Sequence, residues 1–399
     1  MEFTRADAIA ADTAFVDRLT TLRRDIHRHP ETAFEETRTS DVVAAFLGDL
    51  GIEIHRGLGK TGVIGTLRGT RQGSRRIGLR ADMDALFIRE ATGRPYASSV
   101  EGKMHACGHD GHTTMLLGAA EKLAANPDFA GTVHFIFQPA EEGLGGGRVM
   151  VEEGLFERFP CDAIYGVHNG PKAPLGKVIT RPGPLAAAGD TWEAVFEGTG
   201  GHGSMPQAGT DPTVAAGHFI VGLSSIISRN VSASDTAVLS IGHIQAGDYQ
   251  SPNIIPAKVI VRGTARSYTP QVRDTLERRL GELANGCGVA HGVGARLIYT
   301  RRYPPLVNAA EQTALAVKAA AAAVGAENVD GNCPPLAFSE DFSFMLEKVP
   351  GAYVAIGNGA GPDAHFVHTP EYDFNDALIP FGVAYWMNVV AAELAGAGA

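Results

Sequence analysis

The sequence predicts an α/β fold: a mainly parallel sheet with helices on both faces, interrupted by a smaller inserted α+β domain. Three observations carry this reading. In the first part of the chain, β-rich runs alternate with helical periodicity, the pattern of a sheet wound by crossover helices. After about Gly183 the order becomes β-α-β-β-α-β, a ferredoxin-like unit. At 399 residues the chain exceeds what one hydrophobic core usually serves. The expected boundaries are 1–185 for the first part of the larger domain, 186–302 for the insert and 303–399 for the second part.

Phe15, Leu19, Leu22 and Ile26 recur at steps of four, three and four, which predicts a helix ended by Pro30. Asp41 to Leu50 reads as a second helix, stopped by Gly51. Strands follow at 62–67 and 75–79, the latter running into Arg80-Ala81-Asp82-Met83-Asp84. Asp110 to Ala125 is a helix that buries Met115, Leu116, Ala119 and Leu123. Thr132 to Phe137 is a strand with Glu141-Glu142 just beyond it, and Ala163 to Val167 a strand ending at His168. Asp82, Glu141, Glu142 and His168 therefore fall at the carboxyl ends of strands, where parallel sheets open their ligand crevice.

In the insert, strands at Thr191–Glu197, Ala237–Ile244, Lys258–Ser267 and Ala295–Tyr299 enclose helices at Asp211–Arg229 and Pro270–Ala290. Past Pro304-Pro305 come an alanine-rich helix (Ala309–Val324), a strand at Tyr353–Ile356, a loop at His365–Asp376 and a last helix from Ala377.

A hydrophobic content of 44% with 20% charged residues suits a soluble globular enzyme. The net charge of −10 argues against nucleic acid as a partner. No apolar run reaches the length of a membrane span, and Met1–Thr20 has no signal-peptide pattern. Cys107, Cys161, Cys287 and Cys333 show no framework spacing, so a reducing, cytoplasmic setting is expected.

The octet His105-Ala106-Cys107-Gly108-His109-Asp110-Gly111-His112 holds one thiol, three imidazoles and a carboxylate on a glycine-punctuated turn. Cys107, His109, Glu142, His168 and His368 are five donors, one too many for a closed structural zinc. A thiolate bridging two divalent ions, with two terminal ligands on each, uses them all. Zn, Mn, Co and Ni all suit that set. Glu141 beside them is a candidate general base toward water; a solvated acidic pair is the plainer alternative. Asp82 and Asp84 either orient the ligating histidines or cap a turn. His27, His29 and Glu31 read as capping and packing residues, and His202, on its own terms, as a loop residue.

These segments together resemble the M20 metallopeptidase family, in its amidohydrolase branch. The resemblance covers nearly the whole chain through LRRDIHRHPE (Leu22–Glu31), RADMDAL (Arg80–Leu86), the octet, FQPAEEG (Phe137–Gly143), GVHNGP (Gly166–Pro171), GGHGSMP (Gly200–Pro206), NIIP (Asn253–Pro256), FSEDF (Phe338–Phe342) and HTPEYDFND (His368–Asp376). It implies hydrolysis of N-acyl amino acids, as by hippurate hydrolases, aminoacylases and auxin-conjugate hydrolases, with dipeptides as an alternative substrate. Cys107 would bridge two ions where most of the wider family uses aspartate. His109 and His168 would bind one ion and Glu142 and His368 the other, with Glu141 as base and later proton donor. Asp82 stands where other branches have a metal-binding histidine. The larger domain would then be catalytic, and the insert a lid through which homodimers or homotetramers assemble. His202 and Asn253 would reach a substrate carbonyl or carboxylate, and Arg262 or Arg266 a carboxylate. A thiol hydrolase with Cys107 as nucleophile, and a non-catalytic metal protein, are the rival readings.

Overall fold

The computed structural model describes residues 1–361 and 364–395. They divide into two compact units, Met1–Leu185 with Val307–Pro334 and the segment from Asp341 on, and Ala186–Leu306 with Pro335–Glu340. Each has its own apolar core.

In chain order a short helical segment at Ala6–Ala10 precedes helices α1 (Thr13–Arg28) and α2 (Thr37–Asp49) of the first unit. Strands β1 (Glu53–Arg56), β2 (Val63–Arg68) and β3 (Arg71–Asp82) follow, then α3 (His109–Ala125), β4 (Ala130–Gln138) and β5 (Ala163–Gly170). The second unit contributes β6 (Ala188–Glu197), α4 (Pro212–Asn230), β7 (Ala237–Ala246), β8 (Lys258–Ser267), α5 (Pro270–Ala290) and β9 (Gly294–Tyr303). The first unit resumes with α6 (Ala310–Val324), β10 (Gly351–Gly357) and α7 (Ile379–Glu393).

The large sheet runs β1-β2-β4-β3-β5-β10 and continues through the short strands Val178–Ile179 and Val329–Asp330. Its centre is parallel: β3 pairs with β4 and β5, and β5 with β10. One flank is antiparallel at β1/β2 and β2/β4, and on the other β10 pairs antiparallel with Val178–Ile179. Central strands are buried on both faces, as helix-covered parallel strands must be, and Leu79, Phe135, Phe137, Tyr165 and Val354 are solvent-free. Because β3, β4 and β5 run the same way, Asp82, the Pro139–Gly143 turn and His168 come out at one edge of the sheet.

Along the α1 stripe Phe15, Leu19 and Ile26 are buried and Leu22 is half-buried. The same helix also buries Arg23 and His27. Arg23 Nε lies 3.0 Å from Asp110 Oδ2 and Nη2 lies 2.5 Å from Asp373 Oδ1. Glu31 caps α2, accepting from the backbone N–H groups of Arg38 (3.0 Å) and Thr39 (2.8 Å).

In the second unit the strand order β7-β8-β6-β9 is wholly antiparallel, the arrangement of a ferredoxin-like sheet. Trp192, Phe196, Phe219, Leu276 and Leu280 form its core between sheet and helices. All four cysteines are free, and among the described residues no helix is long and apolar enough to cross a membrane.

Candidate metal centre

Gly108 (φ +95°) precedes α3, and a Cβ there would sit 2.5 Å from Asn169 Nδ2 and 2.7 Å from Tyr372 Oη. Both the dihedral and the space demand glycine. The turn it allows aims Cys107 and His109 at the end of β5, where Cys107 Sγ lies 3.3 Å from His168 Nε2. The donor atoms of Cys107, His109 and His168 lie within 4.8 Å of one another, and so do those of Cys107, Glu142 and His368. The thiol belongs to both triplets. Glu141 joins a third grouping, with His109 and Glu142.

Hydrogen bonds fix the imidazole protons. His168 Nδ1 is 2.7 Å from the Asn169 carbonyl oxygen, which only accepts, so the Nε2 lone pair faces the thiol. His109 Nδ1 donates to Asp84 Oδ1 at 3.2 Å, and among the described residues its buried Nε2 has no hydrogen-bond partner. Imidazoles so oriented, converging with a carboxylate on a thiol, are a donor set suited to borderline divalent cations. Asp82, His109 and His112 also cluster. There the lone pair is spent: His112 Nδ1 donates to Asp82 Oδ1 at 2.6 Å, and Nε2 accepts from the Asn169 backbone N–H at 2.9 Å. Arg80 Nη1, 2.6 Å from Asp82 Oδ2, supplies that carboxylate with a buried countercharge.

Carboxylates dominate the charge around these donors. Burial, then the carboxylates of Glu142 and Glu141, push the Cys107 thiol well above its ordinary value. Burial would lower His109, but Asp82, Asp84 and Glu142 outweigh it and raise the imidazole to about 10. Burial and then the neighbouring His112 press His168 down to about 3. An excess of carboxylates around a protonated thiol is reversed by positive charge, and a coordinating thiol loses its proton.

Asp84 organises the turn after β4. Its Oδ1 accepts from the Glu141 backbone N–H at 3.0 Å and its Oδ2 from that of Glu142 at 2.9 Å, besides the His109 bond. Orphaning a buried donor costs about 1–3 kcal/mol. Asp84→Ala strands three, so a loss of about 3–5 kcal/mol is expected in urea denaturation. A midpoint equal to wild type would show that these donors find other acceptors. Strain gathers here too: Ala140 and His368 have φ of +54° and +63°. The His368 N–H donates to the Ala106 carbonyl at 2.7 Å, and His368 Nε2 lies 3.0 Å from Glu142 Oε1.

In the second unit His202 is not on a plain loop. It forms a short strand with Gly201 that pairs with Ile254–Ile255, next to Asn253, whose carbonyl accepts from the Gly203 N–H at 2.8 Å. His202 is exposed, with Ser204 Oγ 2.9 Å from its Nδ1. Arg262, on β8, pairs with Glu193 at 3.2 Å, and Arg266 turns back on Thr264 and the Ala265 carbonyl.

Several residues that support the cluster went unassigned by sequence reasoning. Asn169 Nδ2 donates to the Cys107 carbonyl at 2.6 Å, and Tyr372 Oη donates to Asn169 Oδ1 at 2.7 Å. Asp110 anchors the N-terminus of α3 on α1 through Arg23 and through His27 Nδ1 at 2.8 Å. Burial opposes charge on His27, but Asp110 and Glu90 raise it to about 9. The local signals among these are the adjacency of Asn169 to His168 and of Asp110 to His109.

Comparison with known proteins adds an independent line. The model of peptidase family M20/M25/M40 matches residues 78–392. The hippurate hydrolase of Campylobacter jejuni is 39% identical over 373 residues, 94% of this chain and 96% of that protein. The N-acetylcysteine deacetylase of Bacillus subtilis is 40% identical over 387 residues, 96% and 99% of the two chains. The crystal structure of the Bacillus subtilis YXEP protein, a dinuclear metal-binding peptidase of the M20 family, is 34% identical. It superposes with a TM-score of 0.84 over 96% of this chain and 99% of that one. Given a match across most of its length and relatives at this identity, the chain belongs to peptidase family M20/M25/M40.

Proposed function

We propose that the protein is a metal-dependent amidohydrolase that cleaves N-acyl amino acids to a carboxylic acid and an amino acid. The observation that carries this is the Cys107 thiol shared by two donor triplets, with the Glu141 carboxylate beside them. The named activities of the hippurate hydrolase and the deacetylase, both nearly full-length relatives, support the substrate class.

His109 and His168 would hold one divalent ion, Glu142 and His368 the other, and Cys107 both. When bound, such ions polarise an amide carbonyl and acidify water. Glu141 takes the proton of the attacking water as its oxygen bonds to the carbonyl carbon. Glu141 then returns that proton to the nitrogen as the C–N bond breaks. Asp84 holds Glu141 and Glu142 by their backbones and orients His109. Asp82 acts one step further out, through His112. His202 and Asn253, side by side on their ribbon, would donate to a substrate oxygen, stabilising it as charge builds there. A carboxylate bound by Arg262 would exchange with Glu193. The exposed edge strand β7 of the second unit, carrying Val238 and Ile244, is where a homodimer or homotetramer would assemble. We place the enzyme in the cytoplasm on the strength of its four free thiols.

A thiol hydrolase fits less well. A nucleophilic cysteine needs a depressed pKa, and Cys107 is pushed the other way. The test is a panel of N-acetyl, N-benzoyl and indole-acyl amino acids against protein reconstituted with Zn, Mn, Co or Ni. Turnover that a chelator abolishes and added metal restores is expected. Turnover indifferent to chelation would sink the metal reading, and no turnover on any member would sink the substrate class.

A further inference from the structure

We infer that Glu36 is a positioning residue for the Glu141 carboxylate, acting from the start of α2 through the backbone of the turn that carries it. The inference rests on the hydrolytic reading above, in which Glu141 moves the proton.

Glu36 has no solvent exposure. Its Oε1 accepts from the Ala140 N–H at 2.9 Å and from the Phe34 N–H at 3.0 Å, and its Oε2 accepts from Thr61 Oγ1 at 2.6 Å. The two residues that donate to Oε1 are both in the left-handed region, Ala140 at φ +54° and Phe34 at φ +63°. Neither is glycine, and such backbone persists only where its surroundings over-determine it. One carboxylate oxygen thus clamps two strained residues from distant parts of the chain.

The clamp continues along the turn. Ala140, Glu141 and Glu142 present three successive N–H groups, and two buried carboxylates take them: Glu36 the first, Asp84 the second and third. Asp84 takes the second and third N–H groups and the Gly146 N–H holds the Ala140 carbonyl at 2.9 Å, which leaves to Glu36 the Ala140 N–H, and with it the entry to the turn from which the Glu141 side chain leaves the backbone. Burial, with the charge of Asp84 nearby, pushes the Glu36 carboxyl up to about 7. A proton on Oε2 can point at Thr61 Oγ1 and leave both acceptor bonds at Oε1 in place. A neutral glutamine, with its amide nitrogen toward Thr61, reproduces that arrangement.

The experiment compares Glu36→Gln and Glu36→Ala in the metal-loaded full-length enzyme. Substrates are an N-benzoyl amino acid and its thioester analogue, an S-benzoyl thioglycolate, whose thiolate departs without needing a proton. On the amide Glu141 serves twice, taking a proton and giving one back; on the thioester it serves once. Glu36→Ala is expected to lower kcat on the amide by ~10–100-fold, with a smaller loss on the thioester, since small misplacements of catalytic groups cost that much. KM and bound metal should stay near wild type, and Glu36→Gln should keep kcat within about threefold. Hydrogen exchange supplies a readout apart from activity: the segment 139–143 should exchange faster in Glu36→Ala and not in Glu36→Gln. Equal losses on the two substrates, matched by lost metal or folded fraction, would reduce Glu36 to a structural role. Unchanged exchange at 139–143 would overturn the clamp outright. Wild-type protein inert toward both substrates would indict the hydrolytic reading instead, and the exchange arm would still decide whether Glu36 holds the turn.

Discussion

Replacing Glu141 by glutamine is expected to lower kcat by ~10²–10⁴-fold while both metal ions stay bound. The reason lies in how the two neighbouring carboxylates are held. Asp84 fixes Glu141 and Glu142 by their main-chain N–H groups, so an isosteric change in the Glu141 side chain leaves the Glu142 backbone where it was. Glutamine keeps the shape and loses the ability to take a proton. The proposed base works near ions that have already made water more acidic, so what is lost is the transfer, together with the return of the proton to the leaving nitrogen. KM should move little, because the exchange removes an interaction made in the transition state. Metal analysis on the purified variant is the decisive control. If one ion were lost with the activity, Glu141 would be a ligand, a role its grouping with His109 and Glu142 makes worth testing.

The parts of this molecule that were legible in the sequence are those in which local pattern decides the outcome. The stripe of α1, the runs of β4 and β5 and the whole of α5 follow from periodicity of apolar residues, and so does the antiparallel insert. Cys107 and His109 share one glycine turn, while Glu142 and His168 end strands whose direction the β-α alternation sets, so their meeting could be foreseen. Elements without an apolar signature were missed. β1 is a short edge strand of exposed and half-buried side chains, Glu53 to Arg56, and β3 begins at Arg71, several exposed residues before its apolar stretch. By local pattern alone His202 reads as loop, because its strand consists of two residues paired with Ile254–Ile255, a partnership that no local pattern encodes. The clamp on the Pro139–Gly143 turn is of the same kind: Glu36 and Ala140 are 104 residues apart, Asp84 and Glu141 are 57. Buried carboxylates that bind backbone look, in sequence, like any other acidic residue. Asp110 was likewise legible as an octet member but not as the anchor of Arg23 and His27.

Cys107→Ala is expected to remove both ions and activity with them, whereas Cys107→Asp should restore two ions and a measurable fraction of turnover. Cys107 is the one residue common to the two donor triplets, so an alanine there withdraws a ligand from each site at once. The remaining donors would then leave a concentration of carboxylates, Asp82, Asp84, Glu141 and Glu142, with no shared anion to draw two cations together. Aspartate can span two ions through its separate oxygens. Its side chain enters the same tight turn, which Gly108 shapes and Asn169 ties down at the Cys107 carbonyl. Carboxylate is a harder donor than thiolate, so the aspartate variant should shift its metal preference toward harder ions such as manganese. The pair of variants also separates the two catalytic readings. A thiol nucleophile has no replacement in aspartate at this chemistry, so any metal-dependent turnover by Cys107→Asp would rule covalent thiol catalysis out. Full metal content in Cys107→Ala would do the opposite damage, because the bridge would then not depend on the thiol.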